Sequence, residues 1–199
     1  MIFTRSVPHR VYADYTRYRP LLRSDFRHRC AYCLTHEFYV GGEAGCEIDH
    51  HRPQKGPSAR PDLVNVYENL FWCCRECNQN KGDVWPSDED LIQGRRFLDP
   101  CRTEDDHDLH WTTHPDGRLT AVTTAGEYTI ERLFLWRDFL VFHRSRAFRW
   151  QQEQNALREL LQTRAVSDTQ KNLLERRLAD LTELIEPPVF ERPQRQRVV

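Results

Sequence analysis

The feature that most constrains this sequence is a pair of Cys-x-x-Cys motifs, formed by Cys30 with Cys33 and by Cys74 with Cys77. Four thiolates can close a tetrahedral zinc site, which fixes a fold without leaving a coordination position for catalysis. The chain has 7 cysteines, an odd number, and its N-terminus lacks the apolar stretch of a signal peptide. Both observations favour metal ligation over disulfide bonding. We therefore expect a structural zinc ion in a cytoplasmic protein.

A second set of polar residues lies between and just after these motifs. Asp49 and His50 lie between the cysteine pairs, and Asn78 directly follows the second pair. Carboxylate and carboxamide oxygens are hard ligands of the kind that Mg²⁺ or Mn²⁺ prefers. An imidazole, with an ordinary pKa of about 6.5, is suited to general-base catalysis. One metal would build the site, and a second would act in it.

These motifs together resemble the HNH endonuclease family, also called the ββα-metal nucleases. The resemblance covers residues 26–83 and includes the Asp49-His50 pair, Asn69 and the run from Cys74 to Gly82. It implies that His50 is the general base, that Asp49 and Asn78 hold the catalytic ion, and that Asn69 steadies the loop and the base. Asn78 replaces the second histidine of the family name, a substitution that the family uses widely.

Three more residues are candidates for contact with nucleic acid. His51 follows the predicted base, and on a strand it would face the opposite side. Arg52 and Lys81 could contact phosphate, or they could be solvated surface residues.

The predicted fold class is α+β, with a zinc-stabilised ββα-metal core and a mainly helical C-terminal region. Strands are expected at 46–51 and 69–73, and a helix or tight turn is expected from Asn78. The Asp116-Gly117 pair predicts a hairpin within 109–122. The segments are a basic, aromatic stretch at 1–25, the nuclease core at 26–85, an acidic connector and hairpin at 86–126, a helical region at 127–187 and a disordered tail at 188–199.

The helical region is predicted to contain two helices. The first spans about 128–164, and the second begins at Ser167, which forms a capping-box pattern with Gln170. These helices could cap the core, form a homodimer interface or dock on a partner protein. No apolar run approaches the ~20 residues that a bilayer span requires, so no membrane association is expected.

The N-terminal segment is basic although the formal net charge of the chain is only −1. Tyr12, Tyr15 and Tyr18 recur there at helical spacing, interleaved with Arg17 and Arg19. Such a stripe could pack on the core, or it could contact nucleic acid.

The sequence therefore predicts a metal-dependent endonuclease that hydrolyses DNA phosphodiester bonds. The alternative is a zinc-bound DNA-binding or adaptor module without catalysis. A zinc deaminase is excluded because no His-x-Glu precedes a Pro-Cys-x-x-Cys. The run from Phe97 to Pro100, Gly117 and the stretch 130–144 are similar to the HNH subunit of Septu-type antiphage defence systems. That similarity implies an ATPase or sensor as partner and a role in defence.

Overall fold

The computed structural model describes residues 2–162 and 167–189. The chain forms two compact units, one of residues 1–149 and one of residues 150–199. The predicted α+β class is confirmed, since helices accompany two small antiparallel sheets. Most of the predicted disordered tail, from residue 190 onward, lies outside the described residues.

The described residues contain seven α-helices and four strands, with short 3₁₀ turns between them. The helices are α1 (Arg19–Asp25), α2 (Arg75–Lys81), α3 (Asp88–Ile92), α4 (His107–His110), α5 (Thr124–Arg132), α6 (Asp138–Gln162) and α7 (Asp168–Ile185). The strands are β1 (Cys46–His50), β2 (Leu70–Cys74), β3 (Trp111–Thr113) and β4 (Leu119–Ala121). No helix among the described residues is both long and apolar enough to span a membrane.

The antiparallel pair β1–β2 carries most of the chemistry-bearing residues. Its register places Cys46 opposite Cys74 and His50 opposite Leu70. All of β2 is buried, which fits its continuous apolar sequence. The helix expected at Asn78 begins three residues earlier, at Arg75, because Cys74 has extended backbone and acts as its N-cap. The two cysteines of the second motif therefore lie one helical turn apart.

Aromatic packing between the N-terminal segment and β2 forms the core of the first unit. The ring of Phe26 lies 4.9 Å from Phe3 and 5.6 Å from Phe71, measured between centroids. Trp72, the next residue of β2, is also fully buried. Burial of one such side chain contributes roughly 1.5–3 kcal/mol. This packing attaches the N-terminal residues to the strand that holds the cysteines.

The expectation of one continuous helix over 128–164 is wrong, since α5 and α6 are separated by a turn. Phe134 in this turn has a positive φ of 50°. Leu133 and Leu135 are both buried, at 0% and 1% exposure. Two residues apart on an α-helix point to opposite sides, so a continuous helix could not direct both into the same core. The second unit does contain the predicted capping box, with Ser167 as N-cap and Gln170 as its partner.

A buried histidine in α4 gives the first unit a predictable response to acid. His107 is 1% exposed, stacks 4.6 Å from the ring of Trp111, and has no hydrogen-bond partner for either ring nitrogen within the described ranges. Burial lowers the pKa of His107 from 6.5 to about 4. The neutral ring is therefore favoured by folding, so this contribution to stability is present above pH 6.5 and is lost as the pH falls toward 4.

We expect His107→Phe to reduce the acid sensitivity of unfolding. In full, the pKa difference changes the free energy of unfolding by about 3 kcal/mol. About 2 kcal/mol of this change occurs between pH 7 and pH 5. Denaturant unfolding of the wild type and the variant at these two pH values measures it, and other titrating groups cancel in the comparison. His114→Phe, at an exposed site, is the matched control. An unchanged pH dependence in His107→Phe would show that this ring is not the acid-sensitive group.

Candidate metal centre and adjoining cleft

Cys30, Cys33, Cys74 and Cys77 form a buried cluster whose sulfur atoms all lie within 4.8 Å of one another. All four are free thiols. The Sγ atoms of Cys33 and Cys74 are 3.9 Å apart. A tetrahedral zinc ion with bonds of about 2.3 Å places its sulfur ligands roughly 3.8 Å apart. The cluster therefore has the donors, the burial and the spacing that a metal such as zinc requires, as predicted from the two motifs.

The elements that hold this cluster are tied together by backbone hydrogen bonds. The loop after α1 supplies the first pair, and Ala31 within it donates from its N–H to the carbonyl of Trp72 at 2.8 Å. The N–H of Cys33 donates to the sulfur of Cys30 at 3.5 Å. Hydrogen bonds within the cluster, with Cys30 first among the donors, hold the pKa of the Cys33 thiol well below its ordinary value. Burial instead raises the pKa of the Cys30 thiol well above its ordinary value, so the cluster favours thiolate, the form that binds metal, at Cys33 first.

Arg137 is a neighbour of this cluster that no sequence pattern indicated. It lies in the turn between α5 and α6, and its guanidinium donates to the sulfur of Cys77 at 3.3 Å. The same group donates to the carbonyl of Leu133 at 2.8 Å and forms an ion pair with Glu76 at 3.0 Å. A cation beside the cluster offsets the negative charge of four thiolates around a divalent ion. Arg137 thus links the turn to the metal centre.

A cleft of about 260 Å³ lies beside the β1–β2 pair and brings together three of the predicted site residues. Asp49 and His50 reach it from the end of β1, and Asn78 reaches it from α2. Gln54 and Asp83 also line the cleft. Residues nearly thirty positions apart in sequence therefore share one cavity.

The orientation of His50 is fixed by a backbone carbonyl. Its Nε2 lies 3.0 Å from the carbonyl oxygen of Val64. A carbonyl can only accept, so Nε2 carries the proton and Nδ1 keeps its lone pair. The ring also contacts Tyr15 edge-on, with centroids 4.7 Å apart. Burial lowers the pKa of His50 below its ordinary value of 6.5. The neutral ring is thus a proton acceptor at neutral pH.

The carboxylate of Asp49 is held by two donors from different parts of the fold. The hydroxyl of Tyr32, within the first cysteine motif, donates to Oδ2 at 2.5 Å. The ammonium of Lys81 donates to Oδ1 at 3.0 Å and to the carbonyl of His50 at 2.8 Å. Burial, followed by the charge of Asp49, raises the pKa of the Tyr32 hydroxyl well above 10.0, so it remains a donor.

Lys81 does not fit the phosphate contact that was predicted for it. Its side chain is fully buried, because the ammonium is directed toward Asp49 and the backbone of β1. An ammonium in that position is inaccessible to a nucleic acid. The signal that could have indicated this role is its place in α2, one turn after Asn78, on the helix that packs against β1.

Asn78 is oriented by a carboxylate that the sequence analysis did not single out. Its Nδ2 donates to Oε2 of Glu47 at 2.7 Å. A carboxylate can only accept, so the amide nitrogen must face Glu47 and the carbonyl oxygen is left for another partner. Glu47 and Asp49 lie on one face of β1, since strand side chains alternate. The spacing Glu47-x-Asp49 is the pattern that could have revealed this residue.

Asn69 closes the loop that follows β1. Its side chain accepts from the N–H of Arg52 at 2.8 Å and donates to the carbonyl of the same residue at 3.1 Å. It also donates to the carbonyl of Leu63 at 3.3 Å. The backbone carbonyl of Asn69 accepts from the N–H of His51 at 2.8 Å. These bonds fix the chain on either side of the loop that carries Val64, the partner of His50.

The other two predicted nucleic-acid contacts pack on aromatic rings. His51 stacks on Phe71 with centroids 4.6 Å apart and meets the ring of Trp85 edge-on at 5.2 Å. The guanidinium of Arg52 lies 4.3 Å above the ring of Trp85. His51 is thus wedged between two rings, and both residues remain half-exposed.

Comparison with protein-family models, curated proteins and solved structures found no match to this chain.

Proposed function

We propose that this chain is a metal-dependent HNH-type endonuclease that hydrolyses DNA phosphodiester bonds in the cleft between β1 and α2. One observation carries the proposal: Asp49, His50 and Asn78 line a single cleft, and Asn78 directly follows Cys77 of the four-cysteine cluster. The order of elements supports it, because β1, β2 and α2 follow one another as strand, strand and helix. A zinc-stabilised ββα-metal core has this order.

In this proposal His50 is the general base. Its Nδ1 accepts a proton from the attacking water, while the hydrogen bond from Nε2 to Val64 fixes the ring and its tautomer. The neutral ring needs no prior deprotonation, since burial lowers its pKa. The charge of the Asp49 carboxylate stabilises the imidazolium that forms, and the charge of Lys81 partly opposes it.

Asp49 and Asn78 are the residues that would hold a divalent ion. Each carboxylate oxygen has two acceptor positions, so Asp49 can bind an ion while it accepts from Tyr32 and Lys81. The carbonyl oxygen of Asn78 is left for such an ion because Glu47 engages the amide nitrogen. When bound, Mg²⁺ or Mn²⁺ would supply Lewis-acid stabilisation of the phosphate and the leaving oxygen.

A second candidate function is a zinc-bound DNA-binding module without catalysis. It is favoured by the ion pair between Asp49 and Lys81, since the buried ammonium offsets the charge that a divalent ion would otherwise meet. In that case the network around Asp49 would stabilise the core, and the cleft would bind no ion.

Plasmid cleavage separates the two candidates. The zinc-loaded protein is incubated with supercoiled plasmid in Mg²⁺, in Mn²⁺ and with no added divalent ion, and its zinc content is measured in parallel. We expect nicked circles only when a divalent ion is added, because one active site cuts one strand at a time. A folded, zinc-loaded protein that leaves the plasmid intact in every condition would contradict the nuclease and favour the binding module.

A further inference from the structure

One residue of the basic, aromatic N-terminal segment contacts a residue of the cleft. Tyr15, at the start of a 3₁₀ turn that ends at Tyr18, contacts the ring of His50 at 4.7 Å. Tyr15 and Tyr12 are both half-exposed, whereas Tyr18 is 2% exposed and belongs to the core. One ring of the aromatic stripe therefore lies in the core and two lie at the surface, and the surface ring of Tyr15 contacts the cleft.

Tyr12 carries two guanidinium groups on its ring. The guanidinium carbon of Arg17 lies 4.7 Å from the ring centroid, and that of Arg10 lies 6.0 Å from it. Both distances fall within the range of a cation–π contact. Tyr12 is itself held in place, because its N–H donates to the hydroxyl of Tyr18 at 3.0 Å and the two rings meet edge-on at 4.9 Å.

These two arginines differ from the others of the N-terminal segment. Arg5 donates to backbone carbonyls of β2 and its approach, and Arg23 is engaged by the buried Glu37. Arg19 forms an ion pair with Glu43. Arg10 and Arg17 are instead exposed, and neither forms an ion pair within the parts of the chain that the structure describes.

Asp14 is the acidic residue closest in sequence to both arginines, and hydrogen bonds from Thr16 and the charge of Arg17 lower its pKa. Asp14 accepts at Oδ1 from the N–H of Thr16 at 2.9 Å and from its hydroxyl at 2.7 Å, which caps the 3₁₀ turn. Its carboxylate is therefore fixed in the cap. Two positively charged groups held on a rigid ring are the chemistry that recognises phosphate.

We infer that Arg10 and Arg17, held on Tyr12, bind the phosphate backbone of DNA next to the DNA strand that enters the cleft. The inference rests on the proposed nuclease function and names the surface that positions its substrate. The ring of Tyr12 already contacts two guanidinium groups, and these groups bind phosphates rather than bases in this proposal. It therefore strengthens binding to all sequences equally and carries no base preference.

The test compares two double variants that remove the same charge. Arg10→Gln with Arg17→Gln removes the proposed clamp, and Arg102→Gln with Arg118→Gln removes two arginines that are 65% and 78% exposed elsewhere. Binding to a fluorescent DNA duplex is followed by anisotropy without added divalent ion, over a range of salt concentrations. The slope of log K against log salt is negative, and each lost phosphate contact reduces its magnitude by about 0.9.

We expect the clamp variant to bind DNA more weakly than the wild type and the control variant. The magnitude of its salt slope should also be smaller than theirs by roughly 2. Equal affinity and slope in the two double variants would overturn the clamp. Plasmid nicking by the wild type, measured separately, decides the nuclease. If the wild type nicks but the slopes are equal, the clamp fails and the nuclease stands. If the magnitude of the slope is smaller in the clamp variant but the wild type does not nick the plasmid, the clamp stands and the nuclease fails.

Discussion

His50→Ala is expected to lower the rate of metal-dependent plasmid nicking by about 10²–10⁴-fold, the usual contribution of a general base. The expectation follows from the geometry, in which Nε2 is bound to the carbonyl of Val64 and Nδ1 remains the only basic atom of the ring. Time courses with enzyme in excess over plasmid measure the rate of the cleavage step directly. The variant should retain its zinc, because His50 lies outside the cysteine cluster.

Two histidine variants serve as controls for this prediction. His114→Ala makes the same change at an exposed site in the hairpin and should leave the rate unchanged. His51→Phe keeps the ring contacts with Phe71 and Trp85 but removes both nitrogens. It should retain cleavage if His50 alone is the base. Cleavage that survives in His50→Ala but is lost in His51→Phe would assign the base to the neighbouring residue.

The sequence predicts those parts of the fold that depend on local pattern. Alternating and continuous apolar residues indicated both strands of the central pair to within one residue at each end. The capping box at Ser167 identified the start of α7, because its two hydrogen bonds involve residues only three apart. The spacing of Cys30 with Cys33 indicated one half of a metal cluster for the same reason.

What the sequence could not predict depends on contacts between distant residues. Tyr32 and Lys81 both donate hydrogen bonds to Asp49, although they lie 17 and 32 residues away from it along the chain. A lysine next to a proposed nuclease motif suggests a phosphate contact, and only the packing of α2 against β1 shows that its ammonium is inside. Arg137 reaches Cys77 across 60 residues because a turn interrupts what the pattern presented as one helix.

Loss of the zinc ligands is the second large effect that we expect. In zinc-finger peptides the apparent binding energy of zinc is on the order of 10–16 kcal/mol, whereas a whole domain is stable by about 5–15 kcal/mol. The cluster joins the loop after α1 to β2 and α2, so its loss removes the metal cross-link between these elements. Cys74→Ala should therefore abolish zinc binding and the cooperative unfolding transition of the first unit.

The adjacent cysteine provides a matched control, since Cys73 and Cys74 are both buried on β2 but face opposite sides of the strand. Burial raises the pKa of the Cys73 thiol well above its ordinary value of 9.0, so it stays protonated and packs as an apolar side chain. Cys73→Ala should keep about one zinc ion per chain, the number that a single four-cysteine site binds. It should lose only roughly 1–2 kcal/mol through the small cavity that it leaves. Elemental analysis and thermal unfolding of the two variants measure both effects. Zinc retained by Cys74→Ala, or lost by Cys73→Ala, would mean that the metal is held by a different set of sulfur atoms.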